Sequence, residues 1–254
     1  MSTENRLSIR EAYAASRTLI FGHRGAMADA PQNTLASFQL AVDQGADGVE
    51  LDVQLSRDGH IVVVHDFSVD GTTDGRGEVS ALALSDLKQL DAGRWFAGEF
   101  ARERIPTLDE VFAGFAGKLY INVELKSRFD ESSALEAAVA DCIRRHGLTE
   151  QTIVSSFDAR LLQRFRALAP EVMMGYLHAP VGLDALMDEV PHEARHPWHD
   201  GIDAAYMRWA RATGFLVNAW TVNDTDRACA LKKLGVNGII TDSPQDTISA
   251  LNQC

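Results

Sequence analysis

GVELDVQLSRDGHIVVVHD, Gly48 to Asp66, holds the one connection that interrupts an otherwise regular alternation of strand-like and helix-like runs. Its apolar halves, VELDVQL and HIVVVHD, are separated by a short polar linker containing Asp58-Gly59. Such a linker cannot span the crossover between parallel strands but suits a tight hairpin, so the two runs are expected to pair antiparallel. Counting outward from the turn places Asp52 roughly opposite His65, which would bring a carboxylate and a titratable imidazole to one rim. Glu50 and Asp52 are two apart on one strand, so their side chains share a face and can converge on a single cation.

Outward from the hairpin, strand-like runs cover Thr18 to His23, Lys118 to Glu124, Thr152 to Ser156, Val172 to Tyr176, Phe215 to Thr221 and Asn237 to Thr241. Helical patterns lie between them, at Thr34 to Gln44, Thr107 to Phe115, Glu131 to His146, Asp158 to Ala169, Asp184 to Glu189, Ala204 to Thr213, Asp224 to Leu234 and Ser243 to Leu251. Helix-start residues support the frame: Asn33 or Thr34, Asp158, Asp224 and Ser243. Sustained alternation implies parallel strands joined by crossover helices. With a weak strand near Glu193 to Pro197 the pattern closes into an eight-stranded α/β barrel; an open doubly wound sheet is the alternative. Residues 66–106 are too long for an ordinary connection and read as an insertion, either a lid over the barrel mouth or a surface elaboration.

The chain of 254 residues, 46% of them hydrophobic, can bury one core, so a single domain spanning 1–254 is expected. A net charge of -12 argues against nucleic acid and anionic membrane as partners. The N-terminus lacks a continuous apolar stretch and no later run approaches membrane-spanning length, so stable membrane insertion is not expected and the cytoplasm is the default location. Cys142, Cys229 and Cys254 have neither zinc-site spacing nor a disulfide framework. No oligomeric state is encoded in the spacing; a homo-oligomer is compatible with it.

Ionisable residues cluster where apolar runs end. Glu124 closes YINVELK and would complete an oxygen-only site with Glu50 and Asp52, a donor set that suits Mg2+ or Ca2+ better than zinc. The bland alternative is that these acids cap helices or form salt bridges. His23 and His65 each end a strand-like run and could serve as general base and general acid. Arg24 and Lys126 would supply local positive charge for a phosphate, or simply pair with neighbouring carboxylates. Trp220 suits a pocket wall and core packing equally well. His192, His196 and His199 with Trp198 fit no standard zinc pattern and are better read as a loop at the barrel mouth.

The stretch HRGAMADAPQNTLASFQLAVDQGADGVELDVQLSRDGHIVVVHD resembles the opening of the glycerophosphodiester phosphodiesterases, and the likeness continues through RIPTLDEVF, INVELK, VSSFD, NAWTVN and GIITDSP. The resemblance implies a TIM-type (β/α)8 barrel with a small insertion after the hairpin. It also implies a divalent cation on Glu50, Asp52 and Glu124, His23 and His65 as the proton-transfer pair, Arg24 and Lys126 on phosphate, and Trp220 lining the pocket. The expected substrate is a small glycerophosphodiester, cleaved to glycerol 3-phosphate and an alcohol, with water or the glycerol's own hydroxyl as nucleophile. Where this family usually has PENT, the chain has Pro31-Gln32-Asn33-Thr34, so one charge near the rim is lost. Two other classes share the same residues: a Schiff-base aldolase or lyase using Lys126, and a catalytically silent phosphate-binding barrel.

Overall fold

The computed structural model describes residues 6–15, 17–126, 134–179 and 189–254. Eight parallel strands close into a barrel: β1 (Leu19–His23), β2 (Gly48–Leu55), β4 (Tyr120–Leu125), β5 (Thr152–Ser156), β6 (Met173–His178), β7 (Ala194–Pro197), β8 (Leu216–Ala219) and β9 (Gly238–Thr241). Closure is explicit, since β1 pairs with β2 on one edge and with β9 on the other. The weakly patterned stretch near Glu193 is therefore a true barrel strand, paired with both β6 and β8. The open-sheet alternative falls with it.

Helices α2 (Leu35–Asp43), α4 (Leu108–Phe115), α5 (Ala134–His146), α6 (Ala159–Leu168), α7 (Ala204–Thr213), α8 (Thr225–Leu234) and α9 (Pro244–Leu251) surround the barrel. Thr34, Asp158 and Asp224 cap their helices through side-chain oxygens, whereas Ser243 leads α9 without a side-chain bond. The first three residues expected in α5, and all but the last of the helix expected from Asp184 to Glu189, lie outside the described residues.

Strand alternation sorts the core. Val49, Leu51, Val53, Ile121, Val123 and Val154 face the helices, while Leu19, Phe21, Tyr120, Ile153, Met173 and Ile240 fill the barrel. Full burial of side chains of this size contributes about 1.5–3 kcal/mol each. A short helix, α1 (Ile9–Ala14), capped by a reciprocal Ser8–Glu11 box, presses Ile9, Ala12 and Tyr13 into the bottom of the barrel.

Strand β2 outruns β1, whose last residue pairs with Glu50, and along Val53 to Leu55 it takes up β3 (Ile61–Val63) antiparallel. The hairpin is as expected, but its register differs by one residue: Val53 pairs with Val63 and Leu55 with Ile61, so Asp52 faces Val64, not His65. The cause is the turn. The backbone N–H of Ser56 donates to the carbonyl of His60, leaving a three-residue loop in which Gly59 takes a left-handed φ of +80°.

Residues 66–106 form a small core of their own, Val69, Val79, Leu87, Ala92 and Ile105, against Val62 and Val64 of the hairpin segment. It includes a one-turn helix, α3 (Leu84–Leu87). At the other end of the chain, Cys229 of α8 and Cys254 form a disulfide across 25 residues, a pairing absent from the sequence expectation. It exists because α8 and α9 pack side by side, which no cysteine spacing encodes.

Barrel strands press closely together at Gly48. A Cβ there would sit 2.5 Å from the Phe21 ring and 2.6 Å from the Tyr120 carbonyl oxygen. Gly48→Ala should cost about 1–3 kcal/mol as overpacking, read as a lower urea midpoint at unchanged slope. An unchanged midpoint would mean that β1, β2 and β4 are not pressed together at this level.

Candidate active site

At the C-terminal ends of β2 and β4, Glu50, Asp52 and Glu124 come together, with one ligand oxygen from each lying within 4.8 Å of the others. All three carboxylates are buried. Strand periodicity places Glu50 and Asp52 on the inward face, and the β2–β4 register sets Asp52 directly beside Glu124.

Crowding three acids in a low-dielectric pocket has a visible electrostatic cost. Burial, followed by repulsion from Asp52 and Glu124, raises Glu50 well above the ordinary carboxylate range. Burial and Asp52 raise Glu124 to about 7. Burial acts the same way on Asp52, yet the guanidinium of Arg24 and the ammonium of Lys126 outweigh it and hold this carboxyl below its usual value. Arg24 Nε lies 3.3 Å from Asp52, and Lys126 Nζ lies 3.5 Å from Asp52 and 2.9 Å from Glu124. An oxygen-only cluster with two carboxyls pushed toward protonation is chemically suited to a hard divalent cation, which would take the place of those protons.

Loop geometry aims these groups. Arg24 and Gly25 both have left-handed backbones, with φ of +52° and +88°, and turn the chain sharply at the end of β1. Asn33, also left-handed at +57°, donates its amide to Asp52 at 2.9 Å while its backbone N–H binds the Arg24 carbonyl. Its role is therefore to orient a carboxylate, and Thr34 alone caps α2. Gln32 accepts a hydrogen bond from Arg24, so the residue that replaces the usual Glu remains part of the rim.

The two histidines are held alike. His23 Nδ1 lies 2.6 Å from Asp242, which also accepts from Asn223, and His65 Nδ1 lies 2.7 Å from Asp66. With Nδ1–H donated to a carboxylate, Nε2 of each ring is left to exchange a proton. His23 Nε2 stands 4.0 Å from Glu50. Burial, assisted by Lys126 and Arg24, lowers the pKa of His65 against the opposing pull of Asp52.

His65 reaches the site by leaving its strand. In the observed register it would fall opposite Leu51, which faces the helices, but β3 ends at Val63. The Gln54 amide nitrogen then holds the carbonyls of Val64, His65 and Asp66 at 3.0, 3.1 and 2.8 Å, fixing the detour. Sequence reasoning missed Asn33, Gln54, Asp66 and Asp242 as supporting residues. Gln54 was visible in principle, as the next inward position after Asp52.

These groups line a cleft of about 170 Å³ with two dissimilar walls. One carries His23, Arg24, Glu50, His65, Glu124 and Lys126; the other carries Phe157, Leu177, Trp220 and Ile240. The Trp220 indole N–H is spent on the His196 carbonyl at 2.6 Å, so the ring presents an apolar face. None of these lining residues comes from the insertion.

Other candidates lead elsewhere. A larger cleft of about 650 Å³ opens at the opposite end of the barrel, but Arg17 there is paired with Asp47 and Lys232 with the Leu251 carbonyl. Asp109, Cys142 and His146 also bring metal-type donors together. Asp109 is already paired with Arg145 and His146, and burial pushes the Cys142 thiol up to about 12. The three histidines of HEARHPWH diverge: His192 stacks on Phe215, His196 is buried in the barrel and His199 lies against Trp198.

A closed parallel barrel with its ionisable groups gathered at the C-terminal strand ends has the build of a TIM-barrel enzyme. The sequence matches the Glycerophosphoryl diester phosphodiesterase family over residues 23–246, and the chain belongs to that family. A glycerophosphodiester phosphodiesterase of Caldanaerobacter subterraneus is 37% identical over 240 residues, covering 93% of this chain and 99% of the relative. Among solved structures, an Oleispira antarctica phosphodiesterase in complex with the product sn-glycerol-3-phosphate superposes with a TM-score of 0.88 at 34% identity, over 95% of this chain and 99% of the other. A glycerophosphodiester phosphodiesterase from Agrobacterium tumefaciens gives a TM-score of 0.80 at 28% identity, covering 91% and 99%.

Proposed function

We propose that this chain is a cation-dependent phosphodiesterase that cleaves small glycerophosphodiesters to glycerol 3-phosphate and an alcohol. The observation that carries the reading is the convergence of Glu50, Asp52 and Glu124 in a cleft that also holds Arg24, Lys126 and two histidines with carboxylate-fixed Nδ1. Charge counting is compatible with a cation: with all three carboxylates ionised, Arg24 and Lys126 leave the cluster one negative, and a divalent ion in place of protons would make it one positive.

Glu50, Asp52 and Glu124 would hold that ion, Mg2+ or Ca2+, which when bound supplies charge neutralisation for the phosphate oxygens and an acidified hydroxyl. Arg24 and Lys126 bind the remaining phosphate oxygens, the first through its planar fork and the second as a point charge. The organic part of the substrate lies along Phe157, Leu177 and Trp220. Nε2 of one histidine takes the proton from the attacking hydroxyl and Nε2 of the other protonates the departing oxygen. Asp242 and Asp66 keep each ring in the required tautomer. A single domain with residues 66–106 as an insertion beside the hairpin fits this reading, because the insertion begins immediately after His65.

The alternatives fit less well. Carboxylates Glu124 and Asp52 outweigh burial and raise Lys126 above its ordinary pKa, so its amine is protonated and unsuited to Schiff-base attack. A silent phosphate-binding barrel would have no use for two carboxylate-oriented histidines on one cleft.

His23→Ala and His65→Ala should each lower turnover of glycerophosphocholine about 10²- to 10⁴-fold with the fold retained by circular dichroism. Near-normal turnover would remove that residue from the chemistry. Chelation should abolish activity and added divalent ion restore it. Because Glu124 keeps its proton up to about 7, proton and cation compete for the same oxygens, so cation affinity should rise as the pH goes from about 6 to about 8. Calorimetric titration across that interval checks the sign, and a flat or falling affinity would contradict it.

A further inference from the structure

Beneath the carboxylates, the barrel interior is polar where a packed barrel is normally filled by branched apolar side chains. Asn122 lies two residues before Glu124 on β4, so it shares the inward face, and its register partner on β2 is Glu50. Ser155 of β5 is the register partner of Glu124. Asn122 and Ser155 are 1% and 0% exposed, yet both amide atoms of Asn122 and the hydroxyl of Ser155 have no hydrogen-bond partner in the protein.

The same interior contains two more such atoms, Nδ1 of His196 and Oδ1 of Asn218. Asn218 donates its amide to the Tyr13 hydroxyl at 2.8 Å and to His196 Nε2 at 2.9 Å. Burial lowers the pKa of His196 to about 3, so the ring is neutral, and its proton then sits on Nδ1 as a donor without an acceptor. His196 is in turn the register partner of Leu177, a lining residue of the cleft.

Each buried polar group left without a partner costs about 1–3 kcal/mol, and native interiors carry few of them. Five such atoms lie on four inward-facing residues, two of which flank the candidate ligands. A buried water needs two to four polar partners, and these atoms include both donors and acceptors.

We propose that Asn122 and Ser155 are positioning residues that hold ordered water beneath Glu50 and Glu124, and that this water fixes the two carboxylates in the orientation that receives the cation. The inference rests on the cation reading above and adds to it a specific support for each of two ligands. Asn122 can donate to such a water, which donates onward to Glu50; Ser155 serves Glu124 in the same way. His196 and Asn218 complete the lining.

The test uses the full chain with Mn2+ as probe, its free concentration read by electron paramagnetic resonance. Asn122→Leu and the nearly isosteric Ser155→Ala should each weaken Mn2+ binding about 10- to 100-fold, the usual effect of removing a ligand's outer support, while Ser155→Thr, which keeps the hydroxyl, stays near wild type. A high-resolution crystal structure should show water bonded to Asn122 and to Ser155 Oγ. Wild-type affinity in both folded variants, or no water at either group, overturns the proposal, since apolar replacement of groups that are truly unpartnered is neutral or stabilising. Should Asn122→Leu fail to fold, Ser155→Ala decides. Failure of the wild type itself to bind Mn2+ would strike the cation reading and this inference with it, whereas failure confined to the variants strikes this inference alone.

Discussion

Mutual repulsion among Glu50, Asp52 and Glu124 is the constraint around which the upper half of this barrel is arranged. Three carboxylates cannot all ionise in a buried pocket without compensation, and an unpaired buried charge is among the most destabilising features a fold can carry. The chain supplies part of that compensation itself. Arg24 is turned inward by two successive left-handed residues, Lys126 follows the last strand residue of β4, and the Asn33 amide reaches Asp52 from the loop before α2. What remains shows in the raised proton affinity of Glu50 and Glu124, and a divalent cation would compete with protons for the same oxygens.

The barrel makes this crowding tolerable because it is rigid on all sides. Parallel strands hold Asp52 and Glu124 in direct register, and the apolar residues alternating with them are locked against α2, α4 and α5. Along the same strands, the inward positions change from apolar at the bottom, where α1 plugs the barrel, to polar in the middle and charged at the mouth. The mouth is itself divided, with the ionisable lining residues on or just after β1, β2, β3 and β4 and the apolar ones on or just after β5, β6, β8 and β9.

Much of this was legible in the chain. Period-two spacing put Glu50 and Asp52 on one face, and the short linker after Leu55 required a hairpin, because both follow from backbone geometry alone. The register did not follow, since it hinges on whether Gly59 closes a two- or a three-residue loop, and a slip of one residue sends every side chain to the other face. His65 reaches the cleft only because Gln54 holds the chain off the ladder, a long-range bond that no local pattern announces. Asp242 and Asn33 were hidden for a related reason. Each sits in a loop whose partner lies 219 and 19 residues away, respectively. The Cys229–Cys254 pairing likewise depends on how α8 and α9 pack.

The account turns on one ion bound by three named carboxylates, and anomalous scattering locates such an ion directly. Crystals equilibrated with Mn2+ should give a single strong anomalous peak roughly 2.0–2.6 Å from oxygens of Glu50, Asp52 and Glu124 together, the range for hard cations on carboxylates. A map with no peak among those oxygens, or with the ion held elsewhere while the enzyme turns over, would contradict it.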